Sequence, residues 1–276
     1  MRHIFSTAVG FNHFNSSEVL TQLQENGYAV VEDFLKKRTI EKLTDEFQFL
    51  FSLASQVGTK RSVSNGDYGL CPFELIDEYK DRCNTTFDFL NYEPLMKVGE
   101  DYFNIKSNLK INNHVEFEIN SSKGASTASL PHFDRMPALK MLIYLTDVSE
   151  TSGATYVYPR TYTEIRHHIF KSLSNVADIH ELKNFVLEKE ISVERVTVEC
   201  RKGTLIIVDT AGLHGGGNMG EENINRKVIR GLTWYLPESF KNLSNSALPI
   251  NDEMFSNNGS QIKIPTDSFI TYAQKS

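Results

Sequence analysis

Apolar and polar positions alternate with two different periods along this chain, and the change from one to the other divides it. From Ser16 the period is helical, with Val19, Leu20 and Leu23 on one face, Ser16 or Ser17 placed to cap, and Gly27 to stop the helix. Tyr28-Ala-Val-Val-Glu-Asp-Phe-Leu then reads as a short buried strand. A second helix is predicted from about Thr39 to Ala54. Its stripe is Ile40, Leu43, Phe47, Leu50, Phe51 and Ala54, with Glu41, Lys42, Asp45 and Glu46 on the outside. Residues 56–91 are polar and turn-rich and are expected to form a lid or an insertion on the substrate side. Leu95, Val98 and Tyr102 mark another short helix.

From about Lys110 the period becomes two. Ile111, Asn113, Val115, Phe117 and Ile119 alternate with polar partners, as in a half-buried strand. Ala138 to Asp147 carries Met-Leu-Ile-Tyr-Leu, a mostly buried strand, and Thr155-Tyr-Val-Tyr-Pro is another after the turn at Thr151-Ser-Gly-Ala. Residues 161–189 return to a helical period. Strands resume at Ile191–Glu199, Thr204–Asp209 and Arg226–Leu236. Many short strands, with helices gathered at the front, predict a mainly β fold with flanking helices: a double-stranded β-helix, or jelly roll, of cupin-like shape. One domain is expected over 1–276, with helical support at about 16–105, the jelly-roll core at about 110–236 and a variable tail at 237–276.

Composition narrows the class of function. Hydrophobic residues make up 40% of the 276 and charged residues 23%, which is the profile of a globular chain with material for a core. The net charge of −6 lacks the basic footprint that nucleic acid or an anionic membrane requires, so neither is expected as a partner. Cys71, Cys83 and Cys200 form no CxxC pair and read as reduced thiols. With no signal peptide and no long apolar run, a cytoplasmic location is expected.

Two stretches carry candidate chemistry. Ser129-Leu-Pro-His132-Phe-Asp134 offers an imidazole and a carboxylate two residues apart, and in a strand such positions share a face. Gly203-Thr-Leu-Ile-Ile-Val-Asp-Thr-Ala-Gly-Leu-His214-Gly-Gly-Gly offers a second imidazole beyond an apolar strand, where the glycines leave a ligand's approach open. Two neutral imidazoles and one carboxylate on one side of a metal form the facial triad of non-haem Fe(II) oxygenases. His132, Asp134 and His214 are therefore the candidate metal ligands and catalytic residues. An oxygenase of this kind that consumes 2-oxoglutarate also needs a planar, permanently charged fork for the far carboxylate. Arg226 and Arg230 share one face of the strand that follows. Arg226, nearer the strand start, is preferred as the cosubstrate-binding residue, and Arg230 stays open as its alternative.

The order of these motifs resembles the phytanoyl-CoA dioxygenase family of Fe(II)/2-oxoglutarate-dependent oxygenases. Leu23-Gln-Glu-Asn-Gly27-Tyr-Ala-Val-Val is similar to that family's opening. Pro131-His132-Phe-Asp134, Leu145-Thr-Asp-Val, Ser152-Gly153-Ala and Val157-Tyr-Pro159 follow its central run, and Leu213-His214-Gly-Gly-Gly-Asn218 with Arg226-Lys-Val-Ile follows its close. Two features depart from it. Arg160-Thr-Tyr stands after Pro159 where the family commonly has Gly-Ser-His, and the His214 to Arg226 interval is about one residue longer than in many relatives. The resemblance implies iron at His132, Asp134 and His214, 2-oxoglutarate at Arg226, and O2 as oxidant. It also implies hydroxylation of an unactivated C–H bond of a small organic metabolite, amino-acid-derived or a natural-product intermediate, with release of succinate and CO2. Halogenating relatives have a small residue in place of the carboxylate, so Asp134 makes hydroxylation the default. A desaturase or cyclase variant is the alternative within the class. A jelly-roll metalloenzyme without 2-oxoglutarate, or a barrel that has lost catalysis, is the alternative outside it. Substrate identity and oligomeric state have no signature in the chain. His114, Tyr144, Trp234, Arg135, Arg160 and the pair His167-His168 read as structural or surface residues.

Overall fold

The computed structural model describes residues 10–58, 60–63, 66–104, 114–120, 138–163, 194–217, 219–220 and 225–234. Its first helix, α1 (Ser16–Asn26), is capped one residue earlier than the serines suggest. The Asn15 side chain accepts from the backbone N–H of Ser17 at 3.1 Å and of Glu18 at 3.3 Å, so Ser16 and Ser17 lie inside the first turn. Gly27 ends the helix at φ 81°, a left-handed cap. Strand β1 (Tyr28–Val31) follows directly, shorter than the apolar run implies.

Helix α2 (Lys37–Gln56) buries Leu43, Phe47, Leu50, Leu53 and Ala54, close to the expected stripe. Glu46 departs from the expectation that it faces outward: it is 3% exposed. Its carboxylate accepts from the backbone N–H of Thr85 at 3.0 Å and of Thr86 at 2.7 Å, and from the Thr86 hydroxyl at 2.8 Å. Those groups open α4 (Asn84–Leu90), whose own N-cap residue, Cys83, makes no side-chain cap. Glu46 thus caps α4 from 39 residues away, where the helix N-terminus favours negative charge. Glu46→Ala is expected to destabilise the fold by roughly 2–4 kcal/mol, because buried N–H groups lose a charged acceptor. Urea unfolding followed by circular dichroism measures it.

The stretch expected as a lid is mostly regular. Strands β2 (Lys60–Val63) and β3 (Gly66–Pro72) form a hairpin, then come α3 (Phe73–Glu78) and α4, and α5 (Glu93–Phe103) closes the helical part. The hairpin extends a sheet edge and α4 is tied to α2, so this segment supports the helical layer.

The remaining strands are β4 (His114–Asn120), β5 (Ala138–Tyr144), β6 (Thr155–Val157), β7 (Val196–Thr197), β8 (Leu205–Asp209), β9 (His214–Gly216) and β10 (Arg226–Trp234). They form two antiparallel sheets. The larger has the order β1-β8-β5-β10-β4-β3-β2 and the smaller β7-β6-β9. Strands β5 and β8 are buried on both faces, which is why they read as continuous apolar runs.

One face of the large sheet packs on the helices. Leu139, Met141, Ile143, Leu205, Ile207, Ile229 and Phe117 meet Leu23, Leu43, Phe47 and Leu50 there. The other face meets the small sheet, and Leu142, Tyr144, Ile206, Val208 and Val228 pack with Ala154 and Val157. Two facing antiparallel sheets with helices against one of them are the expected jelly roll. The helical period of 161–189 falls chiefly on 164–193, outside the described residues. No helix among the described residues is long and apolar enough to cross a membrane.

Candidate active site

Strand β5 decides which side chains enter the space between the sheets. With period two, Leu139, Met141 and Ile143 go to the helices, and Lys140, Leu142 and Tyr144 go to the interior. Lys140 is thereby 8% exposed in an otherwise apolar strand. Opposite it, β9 pairs with β6, and His214 lies across from Val157. The two sheets meet at these residues: Lys140 Nζ is 3.1 Å from His214 Nε2.

The His214 ring is fixed by its partners. Nδ1 is 2.9 Å from the Gly212 carbonyl, which can only accept, so Nδ1 carries the proton. The Lys140 ammonium can only donate, so Nε2 presents its lone pair to the interior. A backbone carbonyl holding the far nitrogen of an imidazole is the usual arrangement behind a metal-binding histidine. His214 is 3% exposed, and a ligand there is shielded from bulk water.

Gly217, the third glycine after His214, is also required by packing. A Cβ on Gly217 would lie 2.5 Å from the carbonyl oxygen of Ala154 and 3.1 Å from the carbonyl carbon of Gly153. Close backbone packing of this strand on its neighbour requires glycine there, and the strand that carries His214 is held by it.

Between the same two sheets lies a buried polar cluster. Thr155 precedes Val157 by two residues on β6, roughly 6–7 Å along the strand. Its hydroxyl is 2.7 Å from the Tyr144 hydroxyl, and Arg226 Nη2 donates to Tyr144 at 3.2 Å. Arg226 Nη1 donates to Glu118 Oε1 at 3.1 Å, and Arg230 Nη2 is 3.6 Å from Glu118 Oε2. Burial works against the Arg226 charge, but Tyr144 and Glu118 outweigh it, and its pKa is raised. Both arginines thus face inward, and Arg226 is the more enclosed, with a side chain 7% exposed against 19% for Arg230.

Strand β4 corrects the sequence reading. Phe117 and Ile119 pack toward the helices, so the apolar alternation marks the outer face of the roll and Glu118 belongs to the inner one. The sequence signal for Glu118 was the polar set between those apolar positions. For Lys140 it was a lone charge in an apolar strand. Tyr144, read as a core aromatic, is fully buried and also places its hydroxyl on Arg226. His132, Asp134 and Arg135 lie outside the described residues, as do the side chains of His114 and Trp234. Arg160 sits in an exposed turn at φ 68°. Among the described residues no three His, Cys, Asp or Glu side chains come together as a metal set.

None of the cysteines supplies a thiolate to this site. Burial pushes the thiols of Cys71, Cys83 and Cys200 up to about 12, 11 and 12, so each stays protonated at neutral pH. All three are free.

No family model matches the chain, and no curated protein sequence matches it. Solved structures do share its fold. The non-heme alpha ketoglutarate dependent carbocyclase SnoK from nogalamycin biosynthesis aligns with a TM-score of 0.58 at 12% identity, over 86% of this chain and 94% of that one. The non-heme alpha ketoglutarate dependent epimerase SnoN from the same biosynthesis gives 0.53 at 16%, over 86% and 92%. EctD from S. alaskensis gives 0.53 at 15%, over 83% and 82%. At these identities the likeness is one of fold, and it extends over most of each chain.

Proposed function

We propose that the protein is an Fe(II)/2-oxoglutarate-dependent dioxygenase that hydroxylates a small organic molecule. The observation that carries this reading is the presence of two complementary groups in the space between the sheets. His214 turns a fixed lone pair inward, and Arg226 offers a buried guanidinium beside the Tyr144 hydroxyl. A metal ligand and a cationic fork are the two groups that a chelating dicarboxylate needs. Two neighbours of the same fold act, by description, with alpha ketoglutarate, and SnoN has been crystallised with Fe3+, alpha ketoglutarate and nogalamycin RO.

His132 and Asp134 would complete the metal's ligand set with His214. Bound together, iron and 2-oxoglutarate supply the oxidising power, with O2 consumed and succinate and CO2 released. The chain does the positioning. Gly212 holds the tautomer of His214, keeping Nε2 unprotonated for a ligand bond. Tyr144 and Thr155 align the guanidinium of Arg226. The apolar wall of Leu142, Val157, Ile206, Val208 and Val228 excludes water from the reacting atoms.

The test is turnover. Iron-loaded protein given 2-oxoglutarate, O2 and a panel of small metabolites is expected to release succinate, with one compound raising the rate and gaining an oxygen atom. No succinate under any condition contradicts the reading. A product lacking two hydrogens, or with a new ring and no added oxygen, identifies the desaturase or cyclase variant.

A further inference from the structure

Resting on that functional reading, we infer that Thr161 is a positioning residue for His214: it holds the peptide group whose carbonyl fixes the imidazole. That peptide joins Gly212 to Leu213. Its carbonyl oxygen is 2.9 Å from His214 Nδ1, and its N–H donates to the Thr161 hydroxyl oxygen at 2.9 Å. The Thr161 hydroxyl in turn donates to the Tyr158 carbonyl at 2.8 Å. Carbonyls only accept and the amide only donates, so the hydrogen bonds run in one sense from the ring to Tyr158.

A trans peptide is planar, and its C=O and N–H point in opposite directions. Anchoring the Leu213 N–H therefore sets the direction of the Gly212 carbonyl, and with it the hold on the His214 ring. The same bond polarises the peptide and makes its oxygen a stronger acceptor for Nδ1–H. Leu213 is 3% exposed, so its N–H depends on a protein acceptor. Its own carbonyl accepts from the Tyr158 N–H at 2.9 Å, which ties the residue to the same segment twice. The segment is itself anchored. The Arg160 N–H donates to the Asn26 carbonyl at 3.0 Å, and the Tyr162 hydroxyl donates to the Gln24 carbonyl. Both carbonyls belong to the last turn of α1, where such groups lack helical partners. Arg160-Thr161-Tyr162, to which the functional reading gave no part, thus ties the end of α1 to the ring.

The experiment reads the ring and the metal separately. Two-bond 1H–15N spectra of metal-free protein labelled at histidine report which ring nitrogen of His214 carries the proton, with His214→Ala assigning the signal. Ni(II) titration calorimetry reports metal affinity. Wild type and Thr161→Ser are expected to hold the Nδ1–H form alone and to bind Ni(II) alike. Thr161→Val keeps the shape of the side chain and loses both of its hydrogen bonds. It is expected to show a share of the Nε2–H form and to bind Ni(II) about ten-fold more weakly, the lower end of the range for groups that support a metal ligand. Glu46→Ala, destabilised at the α4 cap, should match wild type in both readouts, which separates positioning from a general loss of stability.

Thr161→Val that keeps the wild-type tautomer or the wild-type affinity overturns the inference. So does Thr161→Ser as weak as Thr161→Val, or Glu46→Ala that matches Thr161→Val. The unsubstituted protein is decisive even where Thr161→Val does not fold: a His214 ring protonated at Nε2 overturns the inference, and one protonated at Nδ1 supports it. A wild type that binds no Ni(II) overturns the functional reading, and the tautomer spectra then decide by themselves whether Thr161 orients the ring.

Discussion

Arg226→Met is expected to weaken 2-oxoglutarate binding by roughly thirty-fold to several thousand-fold, the scale for truncating one member of a buried, hydrogen-bonded charge pair. The side chain is almost wholly enclosed and gives Nη1 to Glu118 and Nη2 to Tyr144, so no solvent can replace what is lost. Methionine preserves much of the volume, and Glu118 keeps Arg230 beside it, so the variant should fold and still take up metal. The loss should therefore appear in cosubstrate affinity with metal affinity unchanged. Anaerobic titration of the metal-loaded variant checks it. The reverse pattern, normal 2-oxoglutarate binding after this substitution, would favour a jelly-roll metalloenzyme that uses another cosubstrate.

His214→Ala is expected to act one step earlier. It removes a proposed metal ligand outright, so metal affinity should fall by more than about 100-fold, beyond the range found for residues that only support a ligand. It also removes one contact of the buried Lys140, whose Nζ lies 3.1 Å from His214 Nε2. A lower melting temperature should accompany the loss of metal. Metal content after dialysis and a thermal melt, read together, separate the two effects. Retention of stoichiometric metal by this variant would place the metal centre elsewhere.

The legible part of the sequence was the part where one face is simply apolar. Helix α2 announced itself through Leu43, Phe47, Leu50 and Ala54, and Gly27 marked the end of α1, because helical packing and a left-handed cap leave local traces. The jelly-roll class needed only the succession of short apolar runs, whereas the order of strands in the sheets had no signal along the chain. Of the motif residues, His214 and both arginines reach the interior, while His132 and Asp134 lie outside the described residues. What the pattern left open was direction. The alternation in β4 marks a half-buried strand without saying which face meets the helices, and here the apolar face does, which leaves Glu118 to the interior. Glu118 was overlooked for that reason, Tyr144 was read as a core aromatic because its burial hides the hydroxyl's partner, and Lys140 was missed because one charge amid six apolar neighbours has no periodic signature. Glu46 was misplaced for a different one. Its burial depends on the N-terminus of α4, 39 positions downstream, and no local pattern encodes such a partner.

A common logic joins these residues. Each interior polar group is held by a neighbour before any ligand arrives: His214 by Gly212 and Lys140, Arg226 by Tyr144 and Glu118, and Tyr144 by Thr155. Such prior fixing lowers the ordering cost of binding and places charge where a ligand needs it.

The most direct measurement is a crystal structure of the protein with Ni(II) and 2-oxoglutarate. The account predicts one metal ion between the sheets, bound by Nε2 of His214 with His132 and Asp134. Lys140 should be displaced from that nitrogen, and the far carboxylate of the keto acid should rest on Arg226 and Tyr144. A metal bound elsewhere, or none, with His214 Nε2 still accepting from Lys140, would contradict it.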